Sequence, residues 1–177
     1  MTTFLIIISC VLFAASLPTL AWRITLAPCL AYVGLVVLSL ATRNGYPLLP
    51  INGAILTGWF CMTLVVTLAT SMATATMRAQ TRGMGYIITG AIVGLAVGLL
   101  GFTFSHSVAI LYSIMIIAVI AGIFFGFLLY TQTPSGHPVA IGSGNFFRYL
   151  LVKGFPTAIT VMQIGVVLVL VIALNNR

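Results

Sequence analysis

The chain contains no aspartate and no glutamate. A general acid/base pair, a carboxylate proton relay and an oxygen site for a hard cation each need one of them. None of the three can be built from this chain alone. Positive charge is scarce too. Seven Lys plus Arg make up all of the 4% charged residues, against about 25% in an average soluble domain. They stand singly between apolar runs, so no basic face is formed and nucleic acid is not expected as a partner.

Other absences narrow the chemistry further. The three cysteines, Cys10, Cys29 and Cys61, lie in or beside apolar runs with no two at CxxC spacing, and they read as small hydrophobes. Ile7-Ile8-Ser9-Cys10 superficially fits a lipoprotein box, but no basic residue precedes it. For the same reason residues 1–20 are expected to be a retained helix and not a cleaved signal. The two histidines, His106 and His137, fall in different breaks that the topology puts on opposite faces of a membrane, so they cannot share a metal. No Ser-His-acid set, no Cys-His pair and no phosphate loop ending in GK[ST] is present. No metal, no cofactor and no enzymatic activity are expected.

What is there is apolar. The chain is 62% hydrophobic with a mean hydropathy of +1.27. No polar stretch is long enough to be a soluble domain, so residues 1–177 read as one integral membrane domain. A spanning helix needs about twenty apolar residues. There are six candidates, over residues 3–17, 26–41, 53–76, 84–102, 108–130 and 155–174. The first should end near Pro18. The first two are short, and form either a full hairpin or a re-entrant one. The connection 42–52 carries turn residues, among them Asn44-Gly45, Pro47 and Pro50. Residues 146–153 place aromatics beside Arg148 and Lys153, which suggests a short interfacial helix leading into the last span.

Two ladders of small residues organise this all-α reading. Gly90, Gly94 and Gly98 recur every four residues, flanked by Gly85 and Gly101. Ala118, Gly122 and Gly126 repeat the spacing in the next helix. Residues four apart share a helix face, and a face without side chains lets a second backbone approach. In lipid, where hydrophobic drive between helices is small, such close packing is the main attraction. Helices four and five are therefore expected to form a tight hairpin, with the other helices around it.

The third helix carries Thr63, Thr67, Thr70 and Ser71, and the last carries Gln163. Hydroxyls and amides inside a span can bond their own helix or a neighbour, or line a polar path. Trp22, Arg23, Arg78, Arg82, Arg148 and Lys153 read as anchors at lipid headgroups, with anionic lipids as the natural partners. The odd-numbered connections hold five basic residues, Arg23, Arg78, Arg82, Arg148 and Lys153. The other side holds Arg43 and Arg177. By the positive-inside rule both termini face away from the cytoplasm.

Several of these pieces occur together in one known family. Leu17-Pro18, Arg82-Gly-Met-Gly85, Gly90-Ala-Ile-Val-Gly-Leu-Ala-Val-Gly98, Gly122-Ile-Phe-Phe-Gly126 and Lys153 make the chain resemble a widespread bacterial membrane family known as domain of unknown function four-fifty-six. The resemblance covers most of the chain and implies a glycine-rich multi-pass protein of a bacterial inner membrane. The chain departs from the family in lacking acidic residues after the third and fifth helices, and the resemblance implies no mechanism. The functional expectation is a non-enzymatic helix-packing subunit or scaffold, a homo-oligomer or a partner of other membrane subunits. The alternative is a small transporter or channel with a hydroxyl-lined path through Thr63, Thr67, Thr70, Ser71 and Gln163, not proton-coupled through a carboxylate.

Overall fold

The computed structural model describes residues 2–43, 53–73, 82–101, 108–136 and 144–175. His106, His137 and Arg78 lie outside them. Among the described residues there is helix and no strand. The elements are α1 (Thr2–Trp22), α2 (Ala27–Arg43), α3 (Gly53–Ser71), α4 (Met84–Leu100), α5 (Val108–Thr131), α6 (Asn145–Tyr149) and α7 (Phe155–Asn175). Among the described residues four helices are long and apolar enough to cross a membrane: Thr3–Trp22, Gly53–Ser71, Ala109–Thr131 and Asn145–Val171. Two shorter apolar helices, Ala27–Ala41 and Met84–Leu100, accompany them.

Pro18 does not end its helix where the sequence suggests. α1 continues through Pro18 to Trp22. Proline lacks an N–H, so only the ladder bond to the Ala14 carbonyl is lost. Around that gap the Ser16 hydroxyl donates to the Phe13 carbonyl and the Thr19 hydroxyl to the Ser16 carbonyl, each at 2.7 Å. Such hydroxyls are one reason apolar helices tolerate proline.

Pro156 likewise lies inside a continuous helix. α6 runs into a π-helical turn, Leu150–Gly154, and on into α7. In an α-helix Pro156 would leave the Val152 carbonyl without a donor and press its ring against it. The wider turn relieves that clash, with the Phe155 N–H bonding the Leu150 carbonyl five residues back. The expected separate interfacial helix is thus the first part of the last helix.

α1–α2 and α4–α5 are antiparallel hairpins, and α7 lies between them. Two-thirds (67%) of the apolar window of the last helix is buried, against 17% for α1 and for α3. Val161, Val166 and Val169 of α7 share one core with Leu35 of α2, Ile87 of α4 and Met115 of α5. The structure therefore corrects the expected centre. The glycine hairpin flanks the middle, and α7 occupies it.

Candidate functional site

The α4–α5 contact is made by backbone. A methyl group added at Gly90 would come within 3.0 Å of the Gly122 carbonyl, and one at Gly122 within 3.0 Å of the Gly90 carbonyl. At Gly94 it would meet the Ala118 carbonyl, at Gly126 the Tyr86 carbonyl, and at Gly98 the Met115 Cα at 2.8 Å. Gly101 is looser, its nearest neighbour being the Ile114 side chain at 3.0 Å. Gly85 has open space around it. The ladders thus mark where two main chains touch along three helical turns. A further glycine, Gly165, lets α7 dock on this pair, since a Cβ there would sit 2.5 Å from Met115 Sδ and 2.7 Å from Leu95 Cδ1.

A second close contact joins α1 and α2. Ser9 Oγ donates to the Gly34 carbonyl at 2.9 Å in a buried setting. Ala27 and Ala31 are fully buried. A Cβ at Gly34 would lie 3.3 Å from Leu12 Cβ and from the Phe13 ring. Residue spacing alone does not single out this pair. Its signal is weaker: small residues of three kinds, Ser, Ala and Gly, in place of one repeated residue.

The hydroxyls of α3 bond mostly to their own helix. Thr63 donates to the Trp59 carbonyl at 2.7 Å, Thr67 to that of Thr63 at 2.7 Å, Thr70 to that of Val66 at 2.9 Å and Ser71 to that of Leu68 at 2.8 Å. Two of them also touch neighbours. Gln163 Nε2 donates to Thr63 Oγ1 at 2.9 Å, and Cys29 Sγ lies 3.7 Å from Thr67 Oγ1. Gln163 is fully buried, and its Oε1 has no hydrogen-bond partner among the described residues. The structure brings Thr63 and Gln163 together and leaves Ser71 exposed.

Three of the basic residues, Arg23, Arg82 and Arg148, gather at one end of the bundle. Leu20, Ile24 and Ala27, around Arg23, pack with Met84 beside Arg82. The Tyr149 hydroxyl donates to the Arg82 carbonyl. Gly83, at φ 82°, lies under the Tyr130 ring, where a Cβ would clash at 2.6 Å. Tyr130 stacks on Tyr149 at 5.8 Å, and Tyr149 on Phe127 at 5.3 Å. Trp22, Arg23, Arg82 and Arg148 are exposed there. Lys153 is not a surface anchor: it is 2% exposed. The π-helical turn carries Val152, Lys153 and Gly154 together onto the packed side of the central helix.

A cavity of about 660 Å³ lies between α3, α5 and α7. Gly58, Trp59 and Met62 form one wall, Ile116 and Ile120 the other, with Met162 on α7 between them. Among the described residues that line it, only Tyr112 and Trp59 carry a side-chain N or O atom, and Thr63, Thr67, Thr70 and Gln163 do not line it. Among the described residues no group of three His, Cys, Asp or Glu could hold a metal. No family model, no curated protein and no solved structure matches the chain.

Proposed function

We propose that the chain is a non-enzymatic multi-pass protein of a membrane, and that it serves as a helix-packing subunit or scaffold of a larger assembly. In this reading all six helices span, the basic end faces the cytoplasm, and the membrane is a bacterial inner membrane. The termini then face away from the cytoplasm. The observation that carries the reading is how the polar groups are used. The hydroxyls of α3 bond backbone carbonyls, Gln163 ties α7 to α3, and the cavity is lined by hydrocarbon. The glycine contacts spend close approach inside the protomer and leave broad apolar faces outside, among them Phe4, Ile7 and Val11 of α1 and Val93 and Val97 of α4. Those faces are available to a second copy or to another subunit.

Transport is the second reading. It is favoured by Gln163 Oε1, which is buried with no hydrogen-bond partner among the described residues, since an unpaired buried oxygen costs about 1–3 kcal/mol. Two measurements on the purified full chain decide. Mass determination in lipid nanodiscs should give a defined oligomer, and proteoliposomes should show no flux of ions or small solutes. A monomer in nanodiscs overturns the scaffold reading as self-assembly. Solute flux that Gln163→Leu abolishes establishes the transport reading in its place.

A further inference from the structure

Gln163 uses less of its amide than its burial calls for. A glutamine amide offers two N–H donors and an oxygen that accepts twice. Gln163 is fully buried, and its one hydrogen bond among the described residues runs from Nε2 to Thr63 Oγ1 at 2.9 Å. Oε1 is shut away without a partner among them. Turning the amide over exchanges which atom goes without. An arrangement that brings a donor to Oε1 therefore competes with the closed one.

α3 is the helix that can give way. One face of it carries Phe60, Thr63 and Thr67, three and four residues apart. Phe60 meets the Tyr32 ring of α2 at 5.7 Å, Thr63 takes the bond from Gln163, and Thr67 Oγ1 lies 3.7 Å from Cys29 Sγ of α2. Another face carries Gly58, Trp59 and Met62, which border the apolar groove between α3 and α5. The helix thus has its polar ties towards α2 and α7 and open space towards α5. Its two glycines, Gly53 and Gly58, have nothing within 4 Å of an added Cβ, so no backbone contact fixes α3 as one fixes α4 to α5. A shift of α3 towards α5 parts Thr63 from Gln163. Thr67 is one helical turn, about 6 Å, from Thr63, and Cys29 is the third residue of α2. The seam therefore opens at the end of the bundle where Arg23 stands.

We propose that the seam between α2, α3 and α7 admits water from the basic end to the Gln163 amide, and that α3 is the helix that moves to let it in. Water there meets an acceptor in Oε1, a donor in the second Nε2–H and a lone pair on Thr63 Oγ1, about the three partners that a buried water takes. The proposal goes beyond both readings of function, since it holds for a scaffold and for a transporter alike.

Cys29 reports on the seam. Cys10→Ser and Cys61→Ser remove the other two thiols, both exposed, and leave it alone. Alkylation of Cys29 by a sulfonated, membrane-impermeant maleimide is timed on the full chain in lipid nanodiscs. Gln163→Leu removes the unpartnered oxygen at similar volume and leaves the Thr63 hydroxyl on the Trp59 carbonyl. The closed seam is then favoured, and the reaction should slow about fivefold. Thr63→Val strands the whole amide instead, and the reaction should quicken about threefold or more. Gly58→Leu fills the space into which α3 moves, without touching a polar group, and should slow the reaction as Gln163→Leu does. A contact that only holds two helices together would loosen in both polar variants. Faster labelling of Gln163→Leu in a variant that still elutes as a single species therefore overturns the proposal. A rate that Gly58→Leu leaves unchanged overturns it as well, whether or not the polar variants fold.

Discussion

The two hairpins are held by different means. In α4–α5 the neighbour of each ladder glycine is a carbonyl or a Cα of the opposite chain. In α1–α2 the neighbours of Gly34 are side chains, Leu12 and Phe13, and a serine hydroxyl reaches across to its carbonyl. Backbone has nowhere to go when crowded, whereas a phenyl ring can turn. The first hairpin is thus rigid in its register, and the second has slack. The same small-residue chemistry yields a hard contact or a soft one, depending on what lies opposite.

Substitutions can break or sharpen that contrast, and unfolding in mixed micelles reads each as a stability change. Gly90→Ala and Gly94→Ala should do the most damage, each costing about 2–3 kcal/mol, because overpacking against a main chain forces the helices apart. A cost below that of the changes in the other hairpin would contradict the difference between them. Ser9→Ala comes next. It removes the buried bond to the Gly34 carbonyl, and interhelical bonds of this kind are worth about 0.6–1.7 kcal/mol. Gly85→Ala should run the other way and gain about 0.5–1 kcal/mol, since Gly85 has open space and alanine is the better helix former. Gly34→Ala should be the mildest, a change within about 0.5 kcal/mol, because the strain of moving Phe13 and the gain in helix propensity nearly cancel. If Gly34→Ala costs as much as Gly90→Ala, the α1–α2 contact is as hard as the other and the contrast fails.

The same physics decides how much of the fold residues alone reveal. The α4–α5 contact was legible because Gly90, Gly94 and Gly98 lie on one helical face, and glycine offers no other strong reason for that spacing. The helix limits of α2, α5 and α7 were legible within two residues from their apolar runs. The central position of α7 was not. In a bilayer the solvent is as apolar as the core, so Val166 facing protein and Val171 half exposed carry the same hydropathy. The missed signal was polar: Thr157, Thr160 and Gln163 are all fully buried, and three such residues inside one span ask for protein around them. Pro18 misled because a breaker in water is tolerated where neighbouring hydroxyls absorb the lost bond. The groove was illegible because its walls come from three helices far apart in sequence.

The widened turn at Leu150–Gly154 works as an offset in the last helix. It holds one residue more than a regular turn would, so the segment before it is rotated by about 100° relative to the segment after it. Deleting a single residue there would restore the clash of Pro156 with the carbonyl four residues back and swing Tyr149 off the Arg82 carbonyl, with the aromatic stack behind it. The spare residue is what lets one rod present its lower part to the bundle and its upper part to the basic end.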